Sequence, residues 1–479
     1  MSDRTNILLI TTDQQRFDTI AALGNRYINT PHLDWLADEG ITFKRAYTDA
    51  PVCVPSRATI MTGMNGCSTG LTSNSEKIMP MKDYPTLPGL LTRAGYQTRA
   101  QGKMHFHPMR ANYGFEHMEI TPDYYRDRFR YPHEGLPKEH GVGENEITPV
   151  ISTVDEAHSL THWTVRRSIN FLETRDETRP FFLWTSFAKP HPPFDPCANY
   201  WALYQNREVP DPVIGDWSET VETTPQAFLR PTYGLNNAYR MTPEQLRDVR
   251  RAYYACITQI DYQLGLLFAR MREMGLFENT WIIFTSDHGD MLGDHHMGAK
   301  SIFLEGAAHI PLLVRPPAGS RDSKPLAGTR VDSLVNLADI LPTVLNIADV
   351  PLPSGIDGTD LMAVADTCPD REFYGVYKNE FHCLIRGSYK YTWASAGGEE
   401  LFFNLEKDPM EQRNLAGSDE DADLLNSMRD ELIQRMKAHN SPCVENGQLK
   451  PGPPVEDPGS VPKWPGFHST VFDKVDVLH

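Results

Sequence analysis

No stretch of this 479-residue chain approaches the roughly 20 consecutive apolar residues that a membrane-spanning helix needs. Its seven cysteines (Cys53, Cys67, Cys197, Cys256, Cys368, Cys383 and Cys443) are odd in number and scattered. Without a C-x-x-C pair among them, neither a disulfide framework nor a zinc knuckle is indicated. Positive charge is also in deficit: 46 Lys and Arg against 63 Asp and Glu give a net charge of −17. That balance argues against nucleic acid or an anionic membrane as the general partner. It leaves an anionic substrate open, because a metal ion and a few local cations reverse the sign inside a cleft. Internal repeats are absent. So is a secretory pattern, since the apolar run Ile7–Ile10 passes at once into Thr11-Thr12-Asp13-Gln14. A cytoplasmic protein is therefore expected, periplasmic or secreted only if a leader has been removed. Hydrophobic residues (40%) supply ample core, and the length predicts two domains, one large and one small.

What is present is an alternation of strands and helices. Thr5–Thr12, Gln97–Gln101, Phe181–Phe187, Trp281–Thr285 and Pro311–Val314 read as short buried strands. Between them, helices are predicted at Thr30–Glu39 (capped by Thr30, with Pro31 at the first helical position), Leu87–Arg93 and Asp155–Glu173. A long helix spans Thr242–Met274, opened by Thr242-Pro243-Glu244 and closed by Gly275. The pattern predicts an α/β fold with a mostly parallel sheet covered by helices on both faces. After about residue 365 the composition shifts to short alternating strands at Glu372–Tyr377, Cys383–Ile385, Lys390–Trp393 and Glu400–Asn404. One helix follows, Asp421–His439. The expected division is a catalytic α/β unit over 1–365, a smaller α+β unit over 366–441, and a proline-rich extended tail over 442–479. A homo-oligomer held through that tail is left open.

Open parallel sheets bind ligands beyond the C-terminal ends of their strands. Four predicted strand ends deliver chemistry there: Asp13-Gln14, Gly102-Lys103-Met104-His105, Lys189-Pro190-His191, and Ser286-Asp287-His288-Gly289-Asp290. One such end is easily chance; four together are hard to read as loop decoration. Asp13, Gln14, Asp287 and His288 suit a divalent cation, although each Asp taken alone reads equally well as a helix or turn cap. Asp290, Asp294, His295 and His296 read as supporting turn structure rather than as a second centre. The sharpest element is Cys53-Val54-Pro55-Ser56-Arg57, which Pro55 and the helical run behind it place at a helix N-terminus. There Cys53 is either a low-pKa nucleophile or an inert buried thiol.

The Cys-x-Pro-Ser-Arg element, with Thr62-Gly63 behind it, resembles the signature of the type I sulfatases of the alkaline phosphatase superfamily. The likeness continues through Thr30-Pro31-His32-Leu33-Asp34, Gly102-Lys103, Asp287-His288-Gly289 with Lys300, and Glu400–Leu405 with Asp408-Pro409. It implies an alkaline-phosphatase-like fold and oxidation of Cys53 to Cα-formylglycine by a dedicated maturation enzyme. One hydroxyl of the aldehyde hydrate would attack the sulfur of a sulfate ester, forming a hemiacetal sulfate. Deprotonation of the other would expel sulfate. It further implies that Arg57 orients the hydrate and that Lys103 and Lys300 neutralise the sulfate oxygens. His105 would accept a proton from the second hydroxyl, and His191 would protonate the leaving alkoxide. The implied metal site is Asp13, Gln14, residue 53, Asp287 and His288, around an ion that the family suggests is Ca²⁺.

Two departures qualify the substrate. Sulfatases commonly carry Asp-Asp and Asp-Asn where this chain has Asp13-Gln14 and Asp287-His288, a version that looks like the phosphonate monoester hydrolase and choline-sulfatase branch. Asn74 fits an asparagine of that branch that touches the substrate anion, and otherwise reads as a plain turn residue. Fewer anionic ligands and one nitrogen donor make Mn²⁺ or another transition ion an alternative to Ca²⁺. The expected reaction is hydrolysis of a sulfate monoester of a carbohydrate or small alkyl or aryl alcohol. Phosphonate monoester or phosphodiester hydrolysis is the rival, and a non-catalytic anion-binding relative a more distant one. Tyr124–Tyr131 interleaves arginines with aromatics and reads either as a sugar-contacting insert or as a solvated segment with ordinary ion pairs. Asn379–His382 is a candidate for lining the cleft from the smaller unit.

Overall fold

In the computed structural model, residues 4–74, 80–130, 145–233, 238–318 and 326–455 are described. Nine strands form the main sheet: β1 (Asn6–Asp13), β2 (Ile41–Tyr47), β3 (Gln97–Gly102), β4 (His117–Ile120), β5 (Phe181–Pro190), β6 (Thr280–Ser286), β7 (His309–Ile310), β8 (Leu312–Arg315) and β9 (Thr329–Asn336). Their order is β4-β3-β5-β1-β6-β8-β2-β7, with β9 also on β2. The stretch from β4 to β6 is all parallel, while β8 runs antiparallel to both β6 and β2. The expected α/β architecture is therefore present, with two reversed strands, β7 and β8, beyond β6.

The alternation of a strand explains how β1 serves two cores at once. Ile7 and Leu9 point to one face, where they join Ile60, Leu87, Leu91, Leu341 and Val344 from covering helices. Leu8 and Ile10 point to the other, against Leu36, Leu172, Ile260 and Leu264. All four β1 side chains are fully buried, so truncating any one to alanine costs about 2–5 kcal/mol. The long helix runs Pro243–Glu273, with Thr242 and Gln245 satisfying each other's backbone in a capping box. Thr30 does not cap its helix through the side chain: its hydroxyl accepts from Ala21 N and bonds Asp34 instead.

Register brings the strand ends to one level. Thr12 pairs with Ser286, Asp13 with Pro190, and Gly102 with Ser186. Gly102 has φ +97°, and a Cβ there would sit 2.0 Å from the Ser186 carbonyl oxygen. Only glycine lets β3 turn into Lys103 while lying that close to β5.

Four antiparallel strands, β10 (Glu372–Tyr377), β11 (Phe381–Arg386), β12 (Tyr389–Ala394) and β13 (Glu400–Asn404), form the second sheet. The Ala422–Ala438 helix packs on it through Leu425, Met428, Leu432 and Met436. The tail departs from the expected extended arm. Val444–Glu445 and Gln448–Leu449 form a small hairpin, and Val444 and Leu449 pack against that same cluster. Apolar positions in an otherwise proline-rich stretch give it something to bury. Residues 456–479, which carry Pro458, Pro462 and Pro465, lie outside the described residues.

Candidate active site

Most of the candidate side chains follow the end of a strand or open a helix; Lys300 and Asn74 come from loops. Asp13 closes β1, and Asp287 and His288 follow β6. Lys103 and His105 follow β3, and His191 follows β5. Cys53 opens the Cys53–Thr62 helix, as its proline spacing predicts, and every residue of that helix is buried. The ligand atoms of Asp13, Cys53, Asp287 and His288 all lie within 4.8 Å of one another.

Within that cluster, Cys53 Sγ is 3.2 Å from His288 Nε2 and 3.7 Å from Asp13 Oδ1. His288 Nε2 is 4.0 Å from Asp13 Oδ1 and 3.7 Å from Asp287 Oδ1. Metal–donor bonds of about 2.0–2.6 Å leave neighbouring donors roughly 3–4 Å apart, so this set fits one divalent ion. The His288 tautomer fits as well. Its Nδ1 lies 2.9 Å from the Gly289 carbonyl, which can only accept, so in the neutral ring it is Nε2 that carries the lone pair toward the cluster. Gln14 sits beside the set, with its amide nitrogen on Asp290 and its Oε1 accepting from Lys300. Gln14 has φ +74° and is held there from two sides. Its N–H donates to Asp287 Oδ1 at 3.1 Å, and Tyr253 Oη donates to its carbonyl at 2.6 Å. A non-glycine residue in the left-handed region needs such bracing.

Arg57 ties the strand ends together from beneath. Its guanidinium reaches Asp287 Oδ2 (3.0 Å), Asp13 Oδ2 (3.1 Å) and the Ser186 hydroxyl (2.9 Å). Lys103 Nζ adds a contact to Asp13 Oδ2 at 2.8 Å. Lys300 Nζ is 3.0 Å from His191 Nε2, and His191 Nδ1 is 2.8 Å from the Pro192 carbonyl. Asn74, at the surface, accepts from Val54 N at 3.0 Å and so caps the Cys53 helix. His105 has φ +55° and its ring lies 5.7 Å from that of His107.

These charges sort the protonation states. Burial alone would raise Asp13, yet Lys103, His191, Arg57 and His288 pull it well below the usual carboxylate range. Asp287 goes the other way, to about 6, through burial and the Asp13 charge. Burial and Asp13 oppose ionisation of Cys53, but Lys103, His288 and Lys300 prevail and lower its pKa. Burial, Lys103 and Lys300 hold His191 well below an ordinary imidazole. Divergent shifts of this kind in one cleft mark a site built for chemistry.

The remaining expected residues resolve differently. Asp294 pairs with Arg16 and Arg250, His295 stacks on Trp217 and bonds Ser218, and His296 faces the Ser218 carbonyl. They are supporting structure, as their loop context indicates. In the Thr121–Arg130 helix, Asp123 pairs with Arg110 and Arg126, and Asp127 pairs with Arg167. These are the ordinary ion pairs; Tyr131 lies outside the described residues. Of Asn379–His382, Phe381 and His382 are buried in β11. Sequence reasoning missed Ser186, which receives Arg57 and Thr11 and lies on a strand end already flagged for His191. It also missed Tyr253, whose signal was only a tyrosine on the long helix.

Comparison with known proteins agrees with this geometry. A family model described as Sulfatase matches residues 5–350, and one described as N-sulphoglucosamine sulphohydrolase, C-terminal, matches residues 293–438. An arylsulfatase of Clostridium perfringens is 32% identical over 94% of this chain and 98% of its own. A choline-sulfatase of Rhizobium meliloti is 29% identical over 86% of this chain and 82% of its own. The crystal structure of a phosphonate monoester hydrolase of Agrobacterium radiobacter superposes with a TM-score of 0.76 at 23% identity, covering 94% of this chain and all of that one. At that identity the likeness speaks for the alkaline-phosphatase-like fold. Matched along nearly its whole length by sulfatases, and carrying a buried cluster of candidate metal ligands, this chain belongs to the sulfatase family and is a metal-site hydrolase of sulfate esters.

Proposed function

We propose that residue 53 acts as Cα-formylglycine and that the substrate is a sulfate monoester of a carbohydrate or of a small alkyl or aryl alcohol. The observation that carries this reading is the position of Cys53, at a helix N-terminus and inside the ligand cluster, 3.2 Å from His288 Nε2. As an aldehyde hydrate, residue 53 supplies one hydroxyl to attack sulfur and another whose deprotonation releases sulfate. A divalent ion held by Asp13, Gln14, residue 53, Asp287 and His288 supplies positive charge against the oxygens of the reacting ester. Ca²⁺ suits the carboxylates, and the His288 nitrogen admits Mn²⁺ or another transition ion.

The other roles belong to this chain's own side chains. Arg57, fixed by Asp13, Asp287 and Ser186, orients residue 53 and offsets its charge. Lys103 and Lys300 receive the sulfate oxygens as point charges, and Asn74 contacts the same anion from the rim. His105 accepts the proton of the second hydroxyl. His191 delivers a proton to the leaving alkoxide. In the free enzyme burial and the two lysines disfavour a charged His191; a bound anion offsets both lysine charges and lets the ring carry that proton. The maturation enzyme must reach residue 53 before folding is complete, since Cys53 and Arg57 are buried.

Mass spectrometry of the residue-53 peptide tests the modification directly, and an unmodified cysteine in fully active protein overturns it. Sulfate and phosphonate esters of one leaving group, assayed in parallel, test the substrate class. Faster phosphonate turnover favours the second reading, for which the replacement of a carboxylate and an amide by Gln14 and His288 speaks. Chelation is expected to abolish turnover, with activity restored by one equivalent of divalent ion.

A further inference from the structure

Asp290 stands two residues beyond His288 and is fully buried, as is Gln14. Its two carboxylate oxygens have separate partners. Oδ1 accepts from Leu292 N at 2.8 Å and Ala299 N at 3.1 Å, and Oδ2 accepts from the Gln14 side-chain amide. The first oxygen shapes the loop that carries Lys300. Ala299 precedes that lysine and Ser301 follows it, both with positive φ, +62° and +80°. Each is anchored by its N–H, Ala299 on Asp290 and Ser301 on the Pro51 carbonyl at 2.9 Å. Two residues with side chains keep a left-handed backbone only under such bracing.

The second oxygen does something different. A glutamine amide carries an acceptor on one arm and two donors on the other, in nearly the same shape, so its neighbours decide which arm faces where. The Asp290 carboxylate accepts, and so draws Nε2. Oε1 is thereby aimed at Lys300, whose ammonium has only hydrogens to give. Lys300 Nζ lies 3.0 Å from His191 Nε2, and His191 Nδ1 lies 2.8 Å from the Pro192 carbonyl. Asp290, Gln14, Lys300 and His191 thus form one run of hydrogen bonds. Its donor directions are fixed by the acceptors at its two ends, the Asp290 carboxylate and the Pro192 carbonyl.

We propose that Asp290 is a positioning residue for the reaction. It keeps the oxygen of Gln14, rather than the NH2, turned toward the cation and Lys300, and the same carboxylate sets the backbone on which Lys300 stands. This rests on the ligand role of Gln14 and the sulfate-binding role of Lys300 proposed above.

Asp290→Asn is nearly isosteric and keeps an oxygen for Leu292 and Ala299, but its NH2 now meets Gln14. The Gln14 amide must then turn its oxygen outward and set its own NH2 against Lys300, donor against donor. The full chain, stripped by a chelator, is titrated calorimetrically with calcium chloride and with manganese chloride, and its thermal unfolding is followed alongside. Asp290→Asn is expected to bind the ion at least about tenfold more weakly and to melt at a lower temperature; unchanged affinity and melting overturn the proposal. Two further variants separate orientation from loss of charge. In Gln14→Ala protein there is no amide to orient, so adding Asp290→Asn is expected to weaken ion binding no further, and an equal loss with and without Gln14 overturns the proposal. In Asp290→Asn/Gln14→Glu, one oxygen of the new carboxylate accepts from the new amide while the other faces Lys300. Ion affinity and melting temperature are both expected to recover, and a double variant no better than Asp290→Asn overturns the proposal as well. Wild-type protein that binds neither ion counts against the metal reading alone. The melting comparison between the single and double variants then still decides whether Asp290 orients Gln14.

Discussion

Two buried charge clusters lie close together in this chain and are built on opposite plans. Around Lys390, charges satisfy one another: its Nζ is 2.7 Å from Glu305 Oε1 and 2.7 Å from Glu411 Oε1. His309 Nδ1 closes on Glu305 Oε2 at 2.6 Å, and Tyr47 donates to Glu305 at 3.0 Å. Glu305 N donates to Glu411 Oε2 at 2.6 Å. This network joins the second sheet to the segment behind Lys300. Around Cys53, by contrast, two carboxylates, an imidazole and a thiol converge within 4.8 Å of one another, with Arg57 and Lys103 gripping only the outer carboxylate oxygens. The first cluster is complete without a ligand. The second stays open: on the proposed reading a divalent ion and the substrate anion complete it, and two carboxylates close together are the condition of that function.

The largest expected effect separates the two plans outright. Cys53→Ala removes the proposed nucleophile, and turnover is expected to vanish while thermal stability is unchanged or slightly raised. A variant that keeps near wild-type activity would break the mechanism. One that unfolds would show that the site cluster is structural after all.

His191→Ala probes how far the site is specialised for the leaving group. Acid help is worth about 10²–10⁴-fold when the departing alkoxide is basic and little for a nitrophenolate. The loss is therefore expected to be large on an alkyl or sugar sulfate and small on an activated aryl sulfate, provided bond cleavage limits both. Lys300→Ala is expected to lose similarly on both, since on the proposed reading it meets the sulfate common to them. Equal losses for His191→Ala would move that residue to sulfate binding.

Lys390→Met tests the self-sufficient cluster. It leaves Glu305 and Glu411 buried without their common cation, and a loss of about 3–5 kcal/mol in denaturant unfolding is expected. Restoring balance with Lys390→Met/Glu411→Gln should recover part of it. If Lys390→Met costs nothing, the network is not the brace between the second sheet and the Lys300 segment.

The contrast also explains what was legible in the sequence. Strands with unbroken apolar runs, such as Ile7–Ile10 and Phe181–Phe187, announce themselves, and the site residues stand at their ends. β2 and β9 were missed because Lys44-Arg45 and Asp332-Ser333 interrupt their patterns; both positions are partly exposed on strands outside the all-parallel stretch. Cys53 was legible because Pro55 marks a helix start. The Lys390 network was not, because Glu305, Lys390 and Glu411 come from three distant segments and look like surface charges one at a time. Nothing short of the fold shows that all three are buried.

The smallest expected effect concerns a histidine buried without charged company. His191 and His288 are shifted in opposite directions by the charges around them. His382, fully buried in β11, is pushed down to about 4 by burial alone, with its Nδ1 3.1 Å from the Tyr374 hydroxyl. Unfolded, it takes a proton near pH 6.5; folded, it does not do so until about pH 4. On acidification through that window the unfolded state binds the extra proton, so stability falls as pH drops from 6.5 toward 4 and the loss then levels off. The upper bound is about 3 kcal/mol, from 1.36 kcal/mol per pKa unit. His382→Phe keeps an aromatic ring among Tyr374 and Trp393 and removes the titration. Its unfolding free energy, measured against pH, should be flatter than wild type between 6.5 and 4 and parallel to it above 7. Curves that stay parallel throughout would mean that the buried ring takes up its proton in place, and that charge rather than burial governs every histidine of this chain.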